Sequence, residues 1–302
     1  MKSEQKYDLL SYPLKFVIEK LVKETRSVMT FHLTKPEKSL DIDEERYASF
    51  FEKVKPGKFL MVWTPQSQRK KEEVASLDSI PLGISMFDKE KKRFAVTVKK
   101  VGPTTSLLFN YQPGDALGIM GPYGNGFSLP DSTKDEKVLL IAGGVGLASL
   151  RFLYQHLCLY HPQHKEKTHL LYGVKTKEDL IFKKEFGVNF KNFTIFSEDG
   201  STGLKGLPTD RLPYFLENLK PTRIYSCGPE AMLKRIYKII DKFKCEKTIK
   251  QPFYAEYSVE TRFYCGVGIC GLCSLRGESS GKLVCRDGPV FSHQQLEFWK
   301  GE

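Results

Sequence analysis

The 302-residue sequence lacks any apolar run long enough to cross a bilayer; its longest, Val138 to Leu150, is short and broken by glycine. It also lacks an apolar stretch near its start, where Met1-Lys-Ser-Glu-Gln-Lys-Tyr-Asp8 is polar, so no secretory signal and no membrane association are expected. A block of basic residues is missing despite a formal net charge of +11. Lys15, Lys20, Lys53, Lys99, Lys183, Lys220 and Lys250 are dispersed, and the densest run, Arg69-Lys70-Lys71, is followed at once by Glu72-Glu73. Nucleic acid is therefore not expected as a partner. What remains of the charge is a weak steering effect toward an acidic protein. Internal repeats are absent as well. With 40% hydrophobic and 27% charged residues, the chain has the composition of a globular protein with room for two or three domains.

What the sequence does have is a concentration of cysteine. Four of its seven cysteines, Cys265, Cys270, Cys273 and Cys285, fall in the pattern C-x4-C-x2-C-x11-C. That is the kind of series that wraps a plant-type 2Fe–2S cluster. A loop laying three thiolates on one cluster must bend around it and aim amide N–H groups at the sulfurs. Gly266, Gly268 and Gly271 interleave the ligands, and Val267, Ile269 and Leu272 can shield the metal from water. The competing readings are disulfides and structural zinc. Nothing marks the chain as secreted, which argues against disulfides. Zinc usually takes two separated C-x2–4-C knuckles, and only one C-x2-C pair is present. Free thiols with an iron–sulfur centre point to the reducing cytoplasm.

Along the chain the hydrophobic pattern changes once. Leu14–Lys23, Ser27–Thr34, Lys58–Trp63 and Phe94–Val101 read as strands, and residues 35–54 form a polar insertion with a short helix. Gln66–Val74 reads as a mobile charged loop, and Ser106–Asn110 as a helix start behind a threonine N-cap. Short strands with turns at this spacing predict an antiparallel β-barrel over residues 1–132. After the polar linker Asp131–Lys137, Val138–Ala142 reads as a buried strand leading through Gly143-Gly144-Val145-Gly146 into an apolar helix from Leu147 to about Leu159. Strands at Thr168–Tyr172, Phe193–Phe196 and Arg223–Ser226, a helix over Lys177–Phe186 and another over Ala231–Phe243 predict a parallel α/β domain over residues 133–247. Residues 248–302 make a small cysteine domain.

Gly143-Gly144-Val145-Gly146 sits between a buried strand and a helix, where glycines let backbone approach a pyrophosphate and the helix N-terminus offers free N–H groups. It is not a full G-x-G-x-x-G fingerprint, and tight strand–helix packing would explain it equally well. The next strand ends in no clear acidic residue; Lys175 and Lys177 follow it instead. Two further loops, Gly121-Pro-Tyr-Gly-Asn-Gly-Phe127 and Ser226-Cys227-Gly228-Pro229-Glu230, could each be only a turn.

Taken in order, these segments resemble the ferredoxin–NADP reductase superfamily, and within it the electron-transfer subunits of NAD-linked dihydroorotate dehydrogenases. The resemblance runs from about Leu14 to Phe291. It is carried by Val101-Gly-Pro-Thr-Thr105, Gly121–Phe127, Ala142–Gly146, Glu198-Asp-Gly-Ser-Thr-Gly203, Cys227-Gly-Pro-Glu-Ala-Met232, the four cysteines and Cys285-Arg-Asp-Gly-Pro-Val-Phe291. The resemblance implies FAD in the barrel, NAD (or NADP) in the middle domain and the 2Fe–2S cluster at the cysteines. Ser85 should face the edge of the flavin, with Val98 and Lys99 on the strand flanking it and Gly102, Thr104 and Thr105 at the FAD phosphates. Gly143, Gly144 and Gly146 should approach the dinucleotide pyrophosphate, and Cys227, Gly228 and Pro229 the nicotinamide.

Two departures stand out. Ile80-Pro-Leu-Gly-Ile-Ser85 is apolar where many relatives carry the arginine of an Arg-Pro-x-Ser motif, and Ser149 replaces a common proline after the glycine loop. The resemblance implies no catalytic base or nucleophile, because the cofactors carry the chemistry. It implies an oxidoreductase subunit that takes electrons from an FMN-containing dihydroorotate dehydrogenase catalytic subunit, passes them through 2Fe–2S and FAD to NAD in pyrimidine biosynthesis, and works as a hetero-oligomer. The alternatives are the flavin subunit of a sulfhydrogenase or an anaerobic sulfite reductase, and a scaffold protein that keeps the fold without cofactors. Lys175 and Lys177 leave both NAD and NADP open.

Overall fold

The computed structural model of the chain describes residues 12–36, 43–64, 79–131, 133–245, 253–275 and 281–301. The polar start, the charged run Gln66–Val74 and the expected boundary at 247/248 lie outside them. Six strands, β1 (Leu14–Lys23), β2 (Val28–Thr34), β3 (Phe59–Trp63), β4 (Ile80–Asp88), β5 (Arg93–Lys99) and β6 (Ala116–Tyr123), close a barrel in the order β1-β2-β5-β4-β3-β6. All its pairings are antiparallel. Alternation drives this closure. Phe31 and Leu33 on β2, and Phe94, Val96 and Val98 on β5, turn into one apolar interior. Helix α1 (Glu44–Lys53), N-capped by Asp43 accepting from the Arg46 amide at 3.0 Å, lays Phe50 against Phe16 and Phe94.

Strands β7 (Val138–Gly143), β8 (Thr168–Val174), β9 (Asn192–Ser197), β10 (Leu204–Lys205), β11 (Arg223–Cys227), β12 (Tyr254–Ser258) and β13 (Val290–Ser292) form one sheet in the order β10-β9-β8-β7-β11-β12-β13. It is parallel except for the last pair. From β7 the chain moves outward through β8, β9 and β10, then returns to place β11 on the other side of β7. The reversal between β7 and β11 is a topological switch point, the place where open α/β sheets bind ligands beyond their strand ends. Helices α3 (Leu147–Tyr160), α4 (Pro208–Leu219) and α5 (Glu230–Cys245) bury their apolar stripes against this sheet. Both β12 and β13 come from the C-terminal stretch that holds the cysteines, so the cysteine loop is carried on an edge of the dinucleotide-type sheet.

Local corrections follow from packing. The expected helix over Lys177–Phe186 is replaced by two 3-10 turns, Lys177–Asp179 and Lys183–Glu185. Between them Leu180, Ile181 and Phe182 are 6%, 1% and 5% exposed, and three successive buried residues cannot share one face of an α-helix. Helix α2 (Pro103–Leu108) begins at an N-cap Gly102, not at a threonine. Thr105 instead lies in its first turn, accepting from the Val101 and Gly102 amides at 2.9 Å each.

The barrel and the sheet are bolted together. Arg151 of α3 donates through Nε to both carboxylate oxygens of Glu185 at 2.8 Å and through a terminal nitrogen to the Ser85 carbonyl of β4 at 2.9 Å. Gln155 exchanges two hydrogen bonds with the Phe87 backbone, and the Phe182 amide donates to Glu24 at 2.9 Å. No helix among the described residues is long and apolar enough to cross a membrane.

Candidate functional site

A cleft of about 630 Å³ opens where the two bodies meet. Its barrel side is formed by Gly57 and Phe59, by Ile80–Gly83 of β4, and by Thr97, Lys99, Val101 and Thr105. Its sheet side is formed by Gly143–Gly146, Ala148, Ser149, Gly228 and Pro229. Residues Ser258–Thr261 and Phe263 close it from the segment leading to the cysteines. The glycine loop after β7 and the Gly228-Pro229 turn after β11 therefore flank the switch point, as a dinucleotide site requires.

Two glycines of the loop have distinct reasons to be glycine. A Cβ on Gly146 would lie 2.4 Å from the Cys227 carbonyl oxygen and 2.8 Å from the Gly228 nitrogen, so this position exists for the close approach of two backbones. Gly144 has φ +53 and open space within 4 Å of where its Cβ would be, so its constraint is conformational. Close backbone packing therefore accounts for Gly146, and backbone conformation for Gly144.

The sequence-expected flavin residues divide along the period of β5. Lys99 reaches the cleft and so does Thr97, which sequence reasoning missed, whereas Val98 is turned into the barrel core. Ser85, expected at the flavin edge, does not line the cleft. It is fully buried, and its Oγ accepts from Thr97 Oγ1 at 3.0 Å. Thr97 in turn stands 2.9 Å from Thr30 Oγ1. On the phosphate-side turn, Val101 and Thr105 line the cleft, but Gly102 and Thr104 are not part of its wall. The Thr105 hydroxyl is already engaged, donating to the Gly102 carbonyl at 3.0 Å.

Cys227 is buried just behind the cleft wall. Burial pushes its thiol up to about 12; the Glu260 charge adds to this, and hydrogen bonding with Ser258 and Ser149 offsets only part of it. At neutral pH it is a closed, uncharged thiol, a packing surface and not a nucleophile. Glu260, also missed by sequence reasoning, lines the cleft. It is open to solvent on the cleft side, yet the protein crowded around it raises its carboxyl above the ordinary value by desolvation.

The four expected ligand cysteines come together as two pairs. Cys273 and Cys285 have their sulfurs 3.1 Å apart, and Cys265 hydrogen-bonds with the Cys270 side chain. All seven thiols of the chain are free. Burial raises the Cys265 thiol, but amide N–H groups of Cys270, Val267 and Ile269 overcome this and bring it down to about 6. The Ile269 and Cys270 amides lie 3.3 and 3.5 Å from its sulfur, and the Cys285 amide lies 3.5 Å from that of Cys273. Among the described residues, no three His, Cys, Asp or Glu side chains gather as a site for one metal ion. A single zinc needs its donors around one point, whereas a 2Fe–2S cluster takes two thiolates on each iron, so the paired donors and the amides aimed at sulfur fit the cluster. Gly266, Gly268 and Gly271 at φ +72, +83 and +71 provide the bends.

The cysteine loop is close to the cleft. Phe263, which lines the cleft, packs its ring 4.8 Å from Phe59 of the barrel, and the Gly266 backbone rests on Met61. Cys265 is two residues from Phe263, so their Cα atoms are at most about 7.6 Å apart. From the other side, Asn125 in the Gly121–Phe127 loop donates from its amide nitrogen to the Gly288 carbonyl at 2.6 Å and from its side chain to the Asp287 carbonyl at 2.8 Å. Two loops flagged separately in the sequence therefore hold one another.

Comparison with known proteins agrees with this geometry. Residues 260–297 match the family model of the iron–sulfur cluster binding domain of dihydroorotate dehydrogenase B, and residues 140–238 that of the oxidoreductase NAD-binding domain. The chain is 36% identical over 246 residues to a probable dihydroorotate dehydrogenase B (NAD(+)) electron transfer subunit from Pyrococcus abyssi, covering 80% of this chain and 81% of that one. The corresponding protein of Methanocella arvoryzae is 32% identical over 284 residues, covering 94% and 92%. Among solved structures, a chain of an NADH-dependent reduced ferredoxin–NADP oxidoreductase studied for flavin-based electron bifurcation is similar with a TM-score of 0.67 and 25% identity, covering 92% of this chain and 88% of that one. A ferredoxin NADP+ reductase from Neisseria gonorrhoeae with bound FAD and NADP shares the fold with a TM-score of 0.57 at 18% identity, covering 76% and 90%.

Proposed function

The chain belongs to the family of dihydroorotate dehydrogenase B electron-transfer subunits, and from that premise we propose that it carries electrons from an FMN-containing catalytic subunit to NAD in pyrimidine biosynthesis. Bound FAD and a 2Fe–2S cluster would supply the exchange between hydride pairs and single electrons. The observation that carries the reading is the meeting of three things at one cleft: the barrel wall, the two loops at the switch point and the root of the cysteine loop.

In this reading Cys265, Cys270, Cys273 and Cys285 hold the cluster, and their amide neighbours stabilise thiolate charge. Thr97, Lys99, Val101 and Thr105 border the flavin. Lys99, exposed on the cleft, is the cation positioned for FAD phosphate in place of the arginine that Ile80 lacks. Gly144 and Gly146, with Gly143, open the helix N-terminus to the dinucleotide pyrophosphate, while Gly228 and Pro229 cover Cys227 toward the nicotinamide. The proposed division of labour is 1–132 for FAD, 133–247 for NAD and 248–302 for the cluster, the last leaning on the sheet through β12 and β13.

Neither of the nucleophile-type side chains expected near the cofactors is open to dihydroorotate as a base: Cys227 is a buried neutral thiol and Ser85 is buried. Dihydroorotate oxidation should therefore require the partner. The test is reconstitution. The purified chain should oxidise NADH with an artificial electron acceptor but leave dihydroorotate untouched, and adding the FMN subunit should produce dihydroorotate-dependent reduction of NAD. Oxidation of dihydroorotate by the chain alone overturns the proposal.

A further inference from the structure

Strand β4 reaches the cleft with no polar side chain. Ile80, Pro81, Leu82 and Gly83 line it, and the first hydroxyl of the strand, Ser85, is buried behind the wall and bonded by Thr97. The space over Gly83 is nevertheless not empty. A Cβ built there would meet Ser149 Oγ at 2.5 Å and Ser149 Cβ at 3.8 Å, and no other heavy atom within 4 Å. A hydroxyl from the far side of the interface occupies the place where a residue-83 side chain would stand. Ser149 lies in the first turn of α3, directly after the glycine loop, and itself lines the cleft.

We propose that Ser149 is the residue that presents a hydroxyl to the flavin and nicotinamide rings at the junction of β4 and the glycine loop, in place of a side chain on β4. This rests on the reading of the cleft given above. The residues of β4, the glycine loop and α3 around the junction are otherwise apolar, Pro81, Leu82, Val145 and Ala148, so this O–H is what those elements offer a ring nitrogen or carbonyl. On the barrel side the other hydroxyls are committed, Thr97 to Ser85 and Thr105 to its own helix start, and Ser258 bonds the Cys227 thiol. Ser149 also hydrogen-bonds the buried Cys227 thiol; because that thiol stays protonated, its S–H can donate to the Ser149 oxygen and leave the O–H for the cleft. A donor placed where charge develops on a reduced ring favours reduction, and mounting it on the helix of the glycine loop ties ring contact to pyrophosphate contact.

The experiment compares wild type, Ser149→Ala, Gly83→Ser and the double variant Gly83→Ser/Ser149→Ala, each purified with its flavin. The readouts are melting temperature, flavin midpoint potential, and the single-turnover rate of flavin reduction by NADH. Ser149→Ala should keep its flavin and its melting temperature, shift the flavin potential downward and slow reduction about 3- to 10-fold, the value of one hydrogen bond. Gly83→Ser should crowd Ser149 and loosen the flavin. The double variant, which moves the hydroxyl onto β4, should regain the potential and most of the rate. Unchanged potential and rate in Ser149→Ala overturn the inference. So does a double variant that stays as slow as Ser149→Ala, since Ser149 would then act only by packing. A wild-type chain that holds no flavin, or whose flavin NADH cannot reduce, defeats the functional reading itself and this inference with it.

Discussion

Replacing Gly146 by alanine tests whether the two loops at the switch point are held in contact for binding. The added Cβ would come within 2.4 Å of the Cys227 carbonyl oxygen, 2.6 Å of its carbon and 2.8 Å of the Gly228 nitrogen. All three are backbone atoms, and the strands that carry them are paired up to Ala142↔Cys227, so neither loop can yield without disturbing the sheet. An ordinary carbon–oxygen contact needs about 1 Å more. Forcing an extra methyl into a packed site costs roughly 1–3 kcal/mol, which for a chain of this size corresponds to a melting temperature lower by roughly 2–10 °C. Because the displaced segment is the one proposed to face the dinucleotide, affinity for NAD should fall with stability. Gly144→Ala provides the contrast. Its Cβ meets nothing within 4 Å, and its φ of +53 costs an alanine about 1 kcal/mol. The methyl points into the cleft, so NAD affinity should drop while the melting temperature falls by only about 2–3 °C. Thermal unfolding by circular dichroism and titration with NAD measure both quantities. A Gly146→Ala protein that melts and binds like wild type refutes the close-approach argument, and a Gly144→Ala protein with full NAD affinity refutes the assignment of the loop to the dinucleotide.

Three other expectations rest on separate parts of the molecule. Cys273→Ser should abolish the iron–sulfur absorbance while the flavin bands persist, because the cysteine pairs lie outside the cleft wall; full iron content by metal analysis would contradict it. Arg151→Met removes the bonds to Glu185 and to the Ser85 carbonyl from a pair whose side chains are 17% and 19% exposed. Urea unfolding should show a loss of about 2 kcal/mol, below the figure for a fully buried pair because water reaches both groups, and an unchanged midpoint would show that the bolt between barrel and sheet is idle. His293 should make the chain acid-sensitive. Burial, helped by the Lys244 charge and opposed by Asp241, lowers it to about 4 from the ordinary 6.5. The unfolded chain therefore binds a proton that the folded one refuses between those values, so stability is lost as pH falls from about 6.5 toward 4, by at most about 3 kcal/mol. His293→Phe should flatten the dependence of the unfolding midpoint on pH over that window; an unaltered slope would show that other groups set it.

How much of this was written openly in the sequence depends on how local each signal is. The cysteine spacing is a pattern within twenty-one residues, and the buried β7 with its glycine loop and the alternation of β2 and β5 are patterns within ten or so; the structure contains them in the expected places. Strands β4 and β6 escaped because Pro81 and Gly83, and then Gly118, Gly121 and Pro122, read as turn residues although each strand is specified by its partners in the closed barrel. The stretch 177–186 misled for the opposite reason: its composition suits a helix, but Leu180, Ile181 and Phe182 must all enter the core at once. The site was legible as loops and not as a surface. Alternation alone could have found Thr97, since a strand that sends Val98 inward sends Thr97 and Lys99 the other way. Nothing local could have found Ser149 over Gly83, because the vacancy and the side chain that fills it are sixty-six residues apart and meet only when barrel and sheet close on one another. A missing side chain on one wall, read together with an unexpected one on the other, is therefore a single signal that only the assembled interface makes visible.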